Sequence, residues 1–145
     1  MKKILYFEDE QWFADVLVKE MMDQPYWLFT PVTTPTEFFK EIKGSCQIDL
    51  FILDIMAPMK LFTETDLNEL SEAQQRRLNE GLNIGVVFYE KIRELEKFRK
   101  TPILFYTSKN DPNLKNDKNV TYISKPSDSK SIIAIIHKLF NDSEL

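Results

Sequence analysis

The sequence predicts an α/β domain built on a parallel sheet, and three observations point there. A short apolar run without polar alternation stands at 3–7, as expected of a strand buried on both faces, and further strand-like runs follow at 48–53 and 102–106. Stretches with apolar residues at helical spacing lie between them, and that alternation is the pattern of a parallel sheet covered by helices. With 145 residues and 43% hydrophobic content, the chain can bury one core without disulfide or metal staples.

Taken in order, 3–7 is the first strand and 11–22 the first helix, where Phe13, Leu17 and Met21 recur at helical spacing among Trp12, Val16, Lys19 and Glu20. A second strand is expected over 26–32, flanked by Pro25 and Pro31. Thr34 can cap the next helix, Pro35 suits its first position, and Glu37 stands at capping-box spacing. Phe38, Phe39 and Ile42 give that helix an apolar side, and Gly44 ends it. The run 48–53 is the strongest strand and leads directly into Asp54. Val87, Ile92 and Leu95 mark a helix over 86–98, followed by strands at 102–106 and 120–124. Ser127 or Asp128 can cap a last helix whose Ile132, Ile133, Ile135, Ile136, Leu139 and Phe140 make a wide apolar face.

Two segments depart from this rhythm. The stretch 59–83 is additional, and its middle, 66–80, lacks proline and glycine and is rich in Leu, Glu, Gln and Arg until Gly81, so it is expected to form an added helix. Leu67, Leu70, Leu78 and Leu82 would line one side of it. Such a helix either folds back on the domain or serves as a gate, partner contact or dimer contact. The stretch 108–119, dominated by Asn, Asp and Lys around Pro112, favours a loop where a helix would otherwise stand.

Composition excludes several classes. A net charge of −4 with mixed signs argues against direct DNA binding, which needs a basic face. One cysteine, Cys46, makes no internal disulfide, and no signal-peptide pattern opens the chain. No apolar run approaches the roughly 18 residues of a membrane span. These features lead us to expect a soluble, cytoplasmic protein. His137 has no second histidine or acid cluster beside it and is not expected to donate phosphate. Trp12 is expected to cover the core, though its closeness to the acidic run Glu8, Asp9 and Glu10 also places it to report metal occupancy.

In an open parallel sheet, ligands bind beyond the carboxyl ends of the strands, near the point where strand order reverses. The polar residues at those ends are Glu8, Asp9 and Glu10, then Asp54, then Thr107 and Ser108, then Lys125 and Pro126. Hard carboxylate oxygens suit Mg²⁺ or Mn²⁺. Lysine offers a compact charge for phosphate oxygens, and a carboxylate beside a metal can act as a nucleophile, forming an aspartyl phosphate.

The segments KKILYFEDE, DLFILDIMAP, TPILFYTS and YISKPSD resemble, in order, the signature segments of CheY-like receiver domains from two-component signalling. The resemblance implies a flavodoxin-like, doubly wound five-stranded parallel sheet in the order 2-1-3-4-5, with a helical insertion after the third strand. It implies one receiver domain over 1–145, with no output domain after it, so that output runs through binding or phosphate relay. Asp54 would be the phosphoacceptor. Asp9 would be a direct metal ligand, Glu8 would act through water, and the Met56 carbonyl would complete the protein ligands of Mg²⁺. Thr107 would bond the phosphoryl oxygens, and Lys125, before a cis peptide bond to Pro126, would pair with phosphate. Tyr122 matches the switch aromatic, although a core aromatic that never switches fits its position equally well.

A sensor histidine kinase or phosphotransfer protein would be the donor, and an unidentified downstream protein the target, with a homodimer also compatible. The chain would accept phosphate rather than act as an enzyme. Met56 and Lys109 occupy the positions that tune dephosphorylation, and neither orients an attacking water, so a long-lived phosphoryl group is expected. The competing reading is a receiver-like interaction module that works without phosphorylation. A metal-dependent phosphatase is less suited, since Met56 stands where a general acid would be needed.

Overall fold

The computed structural model describes residues 1–45, 47–55, 59–79, 84–108, 114 and 116–143. Five strands, β1 (Lys2–Phe7), β2 (Trp27–Val32), β3 (Leu50–Leu53), β4 (Ile103–Thr107) and β5 (Val120–Ser124), form one parallel sheet in the order β2-β1-β3-β4-β5. Every residue of the inner strands β3 and β4 is buried, whereas the outer strands β2 and β5 carry exposed or half-buried positions. This is why the inner strands read as unbroken apolar runs. Pro31, expected to flank the second strand, lies inside β2 opposite Tyr6, and an edge strand tolerates the missing donor.

Six helices are described: α1 (Gln11–Met21), α2 (Pro35–Gly44), α3 (Glu64–Asn68), α4 (Glu72–Asn79), α5 (Ile84–Glu94) and α6 (Ser129–Ser143). The pleat of β1 sends Leu5 and Phe7 to one face of the sheet and Ile4 and Tyr6 to the other. On the first face, Phe38 and Phe39 of α2 and Val87, Phe88 and Ile92 of α5 pack with Phe51 and Phe105. The rings of Phe38 and Phe88 stack there with centroids 4.0 Å apart. On the second face, Leu17 and Met21 of α1 meet Ile132, Ile136 and Phe140 of α6. Helices on both faces of a parallel sheet are the doubly wound arrangement expected from the sequence.

The inserted stretch differs from expectation: two short helices stand where one was expected over 66–80. Thr63 and Asp66 exchange the two bonds of a capping box at the start of α3. Ser71 and Gln74 exchange the equivalent pair at the start of α4, with Gln74 N–H to Ser71 Oγ at 3.2 Å and Ser71 N–H to Gln74 Oε1 at 3.0 Å. Serine competes for backbone bonds inside a helix but caps one well, so Ser71 ends one helix and begins the next. Both helices fold back on the domain. Phe62, Leu70 and Leu78 join the core, Leu67 packs against it, and Leu82 lies outside the described residues. The Thr36 hydroxyl donates to Asp66 at 2.7 Å, Lys91 donates to the Glu69 carbonyl at 2.7 Å, and Arg77 pairs with Glu90.

Two helix starts also carry a physical reason. Thr34 accepts the Glu37 amide at 3.2 Å at the start of α2. Asp128 caps α6 through the Ser131 amide at 2.8 Å, and this bond holds its carboxyl below the usual range. The helix expected over 86–98 ends at Glu94, and a 3-10 turn covers Glu96–Phe98. Of the stretch 108–119, expected to be a loop, residues 109–113 and 115 lie outside the described residues, and 116–119 carry turns. No helix among the described residues is long and apolar enough to cross a membrane.

Candidate functional site

Strand order reverses between β1 and β3, and the site lies at their carboxyl ends. The Glu8 amide donates to the Val32 carbonyl at 3.1 Å and the Asp54 amide to the Phe7 carbonyl at 3.3 Å. The sheet thereby sets Glu8 and Asp9, just past β1, beside Asp54, just past β3. One carboxylate oxygen from each of Glu8, Asp9 and Asp54 falls within 4.8 Å of the others. Lys125 reaches this group from the end of β5. Its ammonium donates to Asp54 Oδ2 at 2.9 Å and pairs with Glu8. Its backbone is set by a 2.8 Å bond from its amide to the Thr107 carbonyl, and the Lys125–Pro126 peptide bond is cis, as expected.

The electrostatics are those of a site short of positive charge. Glu8 is fully buried and Asp54 is 6% exposed. Burial pushes the Glu8 carboxyl up to about 8, the charge of Asp54 adds to the rise, and the bond from Lys125 opposes it. Burial also raises Asp9, against a lowering bond with Glu8. Burial works against the charge of Lys125, yet its bond to Glu8 and the nearby carboxylates hold its ammonium above the ordinary lysine value. Among the described residues, Lys125 pairs with two of the three close carboxylates, and like charges held this near one another favour an added cation. The buried Tyr6 hydroxyl has no hydrogen-bond partner among the described residues; burial first, then the neighbouring acids, raise its pKa.

Three close carboxylates, each offering a hard oxygen, fit a hard divalent cation such as Mg²⁺. Glu8, Asp9 and Asp54 would hold it. Met56, whose carbonyl the sequence adds to this set, lies outside the described residues, as do Cys46 and Lys109.

Of the other residues singled out by sequence, Thr107 ends β4 fully buried, opposite Ser124 of β5. Tyr122 is half-buried on the face that carries Phe105 and Tyr89. Trp12 is 68% exposed, which corrects its expected place over the core. The phase of α1 turns Ala14, Leu17 and Met21 inward and leaves Trp12 outside. His137 is exposed and packs its ring on Trp27 at 4.6 Å.

Sequence reasoning missed Gly85. It sits in the first turn of α5, where an added Cβ would meet the Asp54 carbonyl oxygen at 2.6 Å. Only a residue without a side chain allows α5 to approach the end of β3 so closely. Its rarity was the available signal, for the chain has 3 glycines.

No family model matches the sequence, and no curated relative matches it. Solved structures do. The chain is similar to a CheY-like response regulator receiver domain protein from Methanospirillum hungatei JF-1, at 17% identity over 99% of this chain and 97% of that one, with a TM-score of 0.70. It is similar to the signal receiver domain of a signal transduction histidine kinase from Syntrophus aciditrophicus, at 16% identity, with 98% and 92% coverage and a TM-score of 0.68. A third is the response regulator protein TrrA from Thermotoga maritima in complex with Mg²⁺ and BeF, at 20% identity, with 96% and 99% coverage and a TM-score of 0.63. At these identities the likeness is one of fold. The chain has the fold of response-regulator receiver domains.

Proposed function

We propose, with the receiver fold as premise, that this chain is a phosphoacceptor switch of a two-component phosphorelay, with Asp54 as the acceptor and Mg²⁺ as the required cation. The observation that carries this reading is the placement of the Lys125 ammonium between Asp54 and Glu8, with Asp9 completing a carboxylate trio at the sheet's switch point. The Thermotoga maritima structure, which contains Mg²⁺ and BeF, supports the choice of cation.

An Asp54 oxygen attacks phosphorus in line. The new O–P bond forms as the bond to the donor breaks, and the leaving imidazole or carboxylate departs with the electron pair. Lys125 exchanges a carboxylate oxygen for a phosphoryl oxygen and neutralises charge as it develops. Thr107 supplies a hydroxyl at the end of the adjacent strand, and Glu8 and Asp9 hold the cation. Bound Mg²⁺ supplies further positive charge to the phosphoryl oxygens. The donor is a phosphohistidine on a sensor kinase or phosphotransfer protein, or a small acyl phosphate. The added charge biases an existing two-state equilibrium and changes which protein partner binds.

The test is intact mass after incubation with acetyl phosphate and Mg²⁺, for wild type and Asp54→Asn. One phosphoryl group on wild type and none on the variant is the expected result. A folded wild type left unmodified by acetyl phosphate and by a phosphohistidine donor would overturn the reading, in favour of an interaction module that works without phosphorylation.

A further inference from the structure

We infer that Tyr106 is a positioning residue that holds Lys125 over the carboxylates, giving its ring face to the ammonium and its hydroxyl to the backbone just beyond. The inference rests on the phosphoacceptor reading of the site. Tyr106 is 5% exposed, and Lys125 Nζ lies 5.4 Å from its ring centroid. Its hydroxyl accepts from the Ser127 amide at 3.3 Å and donates to the Ser127 carbonyl at 3.4 Å. The next residue of β4, Thr107, takes the Lys125 amide on its carbonyl at 2.8 Å. Two consecutive residues of one strand therefore grip the chain on either side of Pro126.

A lysine ammonium on a flexible stem samples many positions, and few of them serve Asp54. The carboxylates attract it but do so from any direction. During transfer Lys125 must trade a carboxylate oxygen for a phosphoryl oxygen without leaving the same small volume. The face of an aromatic ring attracts a cation through its quadrupole while making no conventional hydrogen bond. Tyr106 thus retains the ammonium and leaves its donors for oxygen atoms. A valine or leucine at this strand position would fill the apolar cluster of Ile123, Ile132 and Ile136 and provide neither the ring face nor the tether. Phenylalanine keeps the ring and loses the tether.

The test is a double-mutant cycle in the full chain, with Tyr106→Phe and Tyr106→Leu made in wild type and in Lys125→Ala. Phosphorylation rate from acetyl phosphate is read by intact mass, and folding by thermal midpoint. Tyr106→Leu should lower the rate about tenfold and Tyr106→Phe about two- to threefold. In the Lys125→Ala background, Tyr106→Leu should cost nothing further. A purely structural role predicts the same loss in both backgrounds, and that result would overturn the inference.

A second readout does not depend on phosphorylation. With Lys125 Nζ 5.4 Å from the ring centroid, the adjoining ε-methylene protons should resonate upfield in wild type and in Tyr106→Phe, and at the ordinary lysine position in Tyr106→Leu. An ordinary position in wild type overturns the inference even where the leucine variant fails to fold. An upfield Lys125 in a wild type that takes no phosphoryl group sinks the phosphoacceptor reading and leaves the positioning contact standing.

Discussion

Replacing Gly85 by alanine measures how closely α5 must approach the strand that leads into Asp54. The new Cβ would lie 2.6 Å from the Asp54 carbonyl oxygen and 2.7 Å from Ile55 Cα. Carbon atoms pack comfortably at about 3.5–4.0 Å, so the helix or the strand end must give by about 1 Å. Both obstacles are backbone, and no change of rotamer relieves them. Overpacking of this kind costs about 1–3 kcal/mol. Moving the helix also stretches the bond from the Gly85 amide to the Ile55 carbonyl, now 3.2 Å, which contributes about 1 kcal/mol. Alanine's better helix propensity returns about 1 kcal/mol, leaving a net loss of about 2 kcal/mol.

In urea, with a slope of about 2 kcal/mol per molar, the unfolding midpoint should fall by about 1 M. A displacement of that size at Asp54 should also slow phosphorylation about 100-fold. Gly44→Ala is the control, because a Cβ there meets nothing within 4 Å. A Gly85→Ala protein that matched Gly44→Ala in both midpoint and rate would refute the reasoning.

Two further predictions concern what holds the fold. Leu78 of α4 is 5% exposed in the core, so Leu78→Ala should cost about 3 kcal/mol in a urea titration; a change within experimental error would show that the insertion is not part of the cooperative unit. Asp117 accepts from Arg93 Nε at 2.7 Å, the Tyr89 hydroxyl at 2.8 Å and the Asn119 amide at 2.9 Å. Burial works against its charge, yet these bonds win and hold its carboxyl below the usual value. Its stabilising contribution is therefore complete above the unfolded pKa of about 3.9 and lost as pH falls through the lower folded value. Wild type should exceed Asp117→Asn by about 2 kcal/mol near pH 6, and the difference should shrink below about pH 4. A difference constant across that range would count against the assignment.

What the sequence makes legible follows from the range of the interactions involved. The run of β3 ends in Asp54 and that of β5 in Lys125, and parallel strands carry such ends to one edge whatever else the chain does. The charged site is therefore readable from strand order alone. The division of the insertion was written in T-x-x-D and S-x-x-Q spacings at Thr63 and Ser71, but the absence of glycine and proline masked it. Trp12 misleads because an apolar residue reads as inward until the phase of its helix is known. Two contacts carried no signal of their partner in the local sequence. Gly85 is required only because α5 comes back to β3, and Arg93 meets Asp117 across a separation of 24 residues. Both belong to tertiary geometry, which a single sequence does not display.

The bond between the Gly85 amide and the Ile55 carbonyl has a consequence in polymer terms. The chain leaves the site at Ile55, travels through α3 and α4, and returns to the same point, so the excursion is a loop with a neck one hydrogen bond wide. The entropy of closing such a loop grows only with the logarithm of its length, about 0.6 kcal/mol for each doubling. Length is therefore a nearly free variable here, while the neck is not. The excursion is a natural splice point, where a foreign segment can be carried beside Asp54 without redrawing the sheet that holds it.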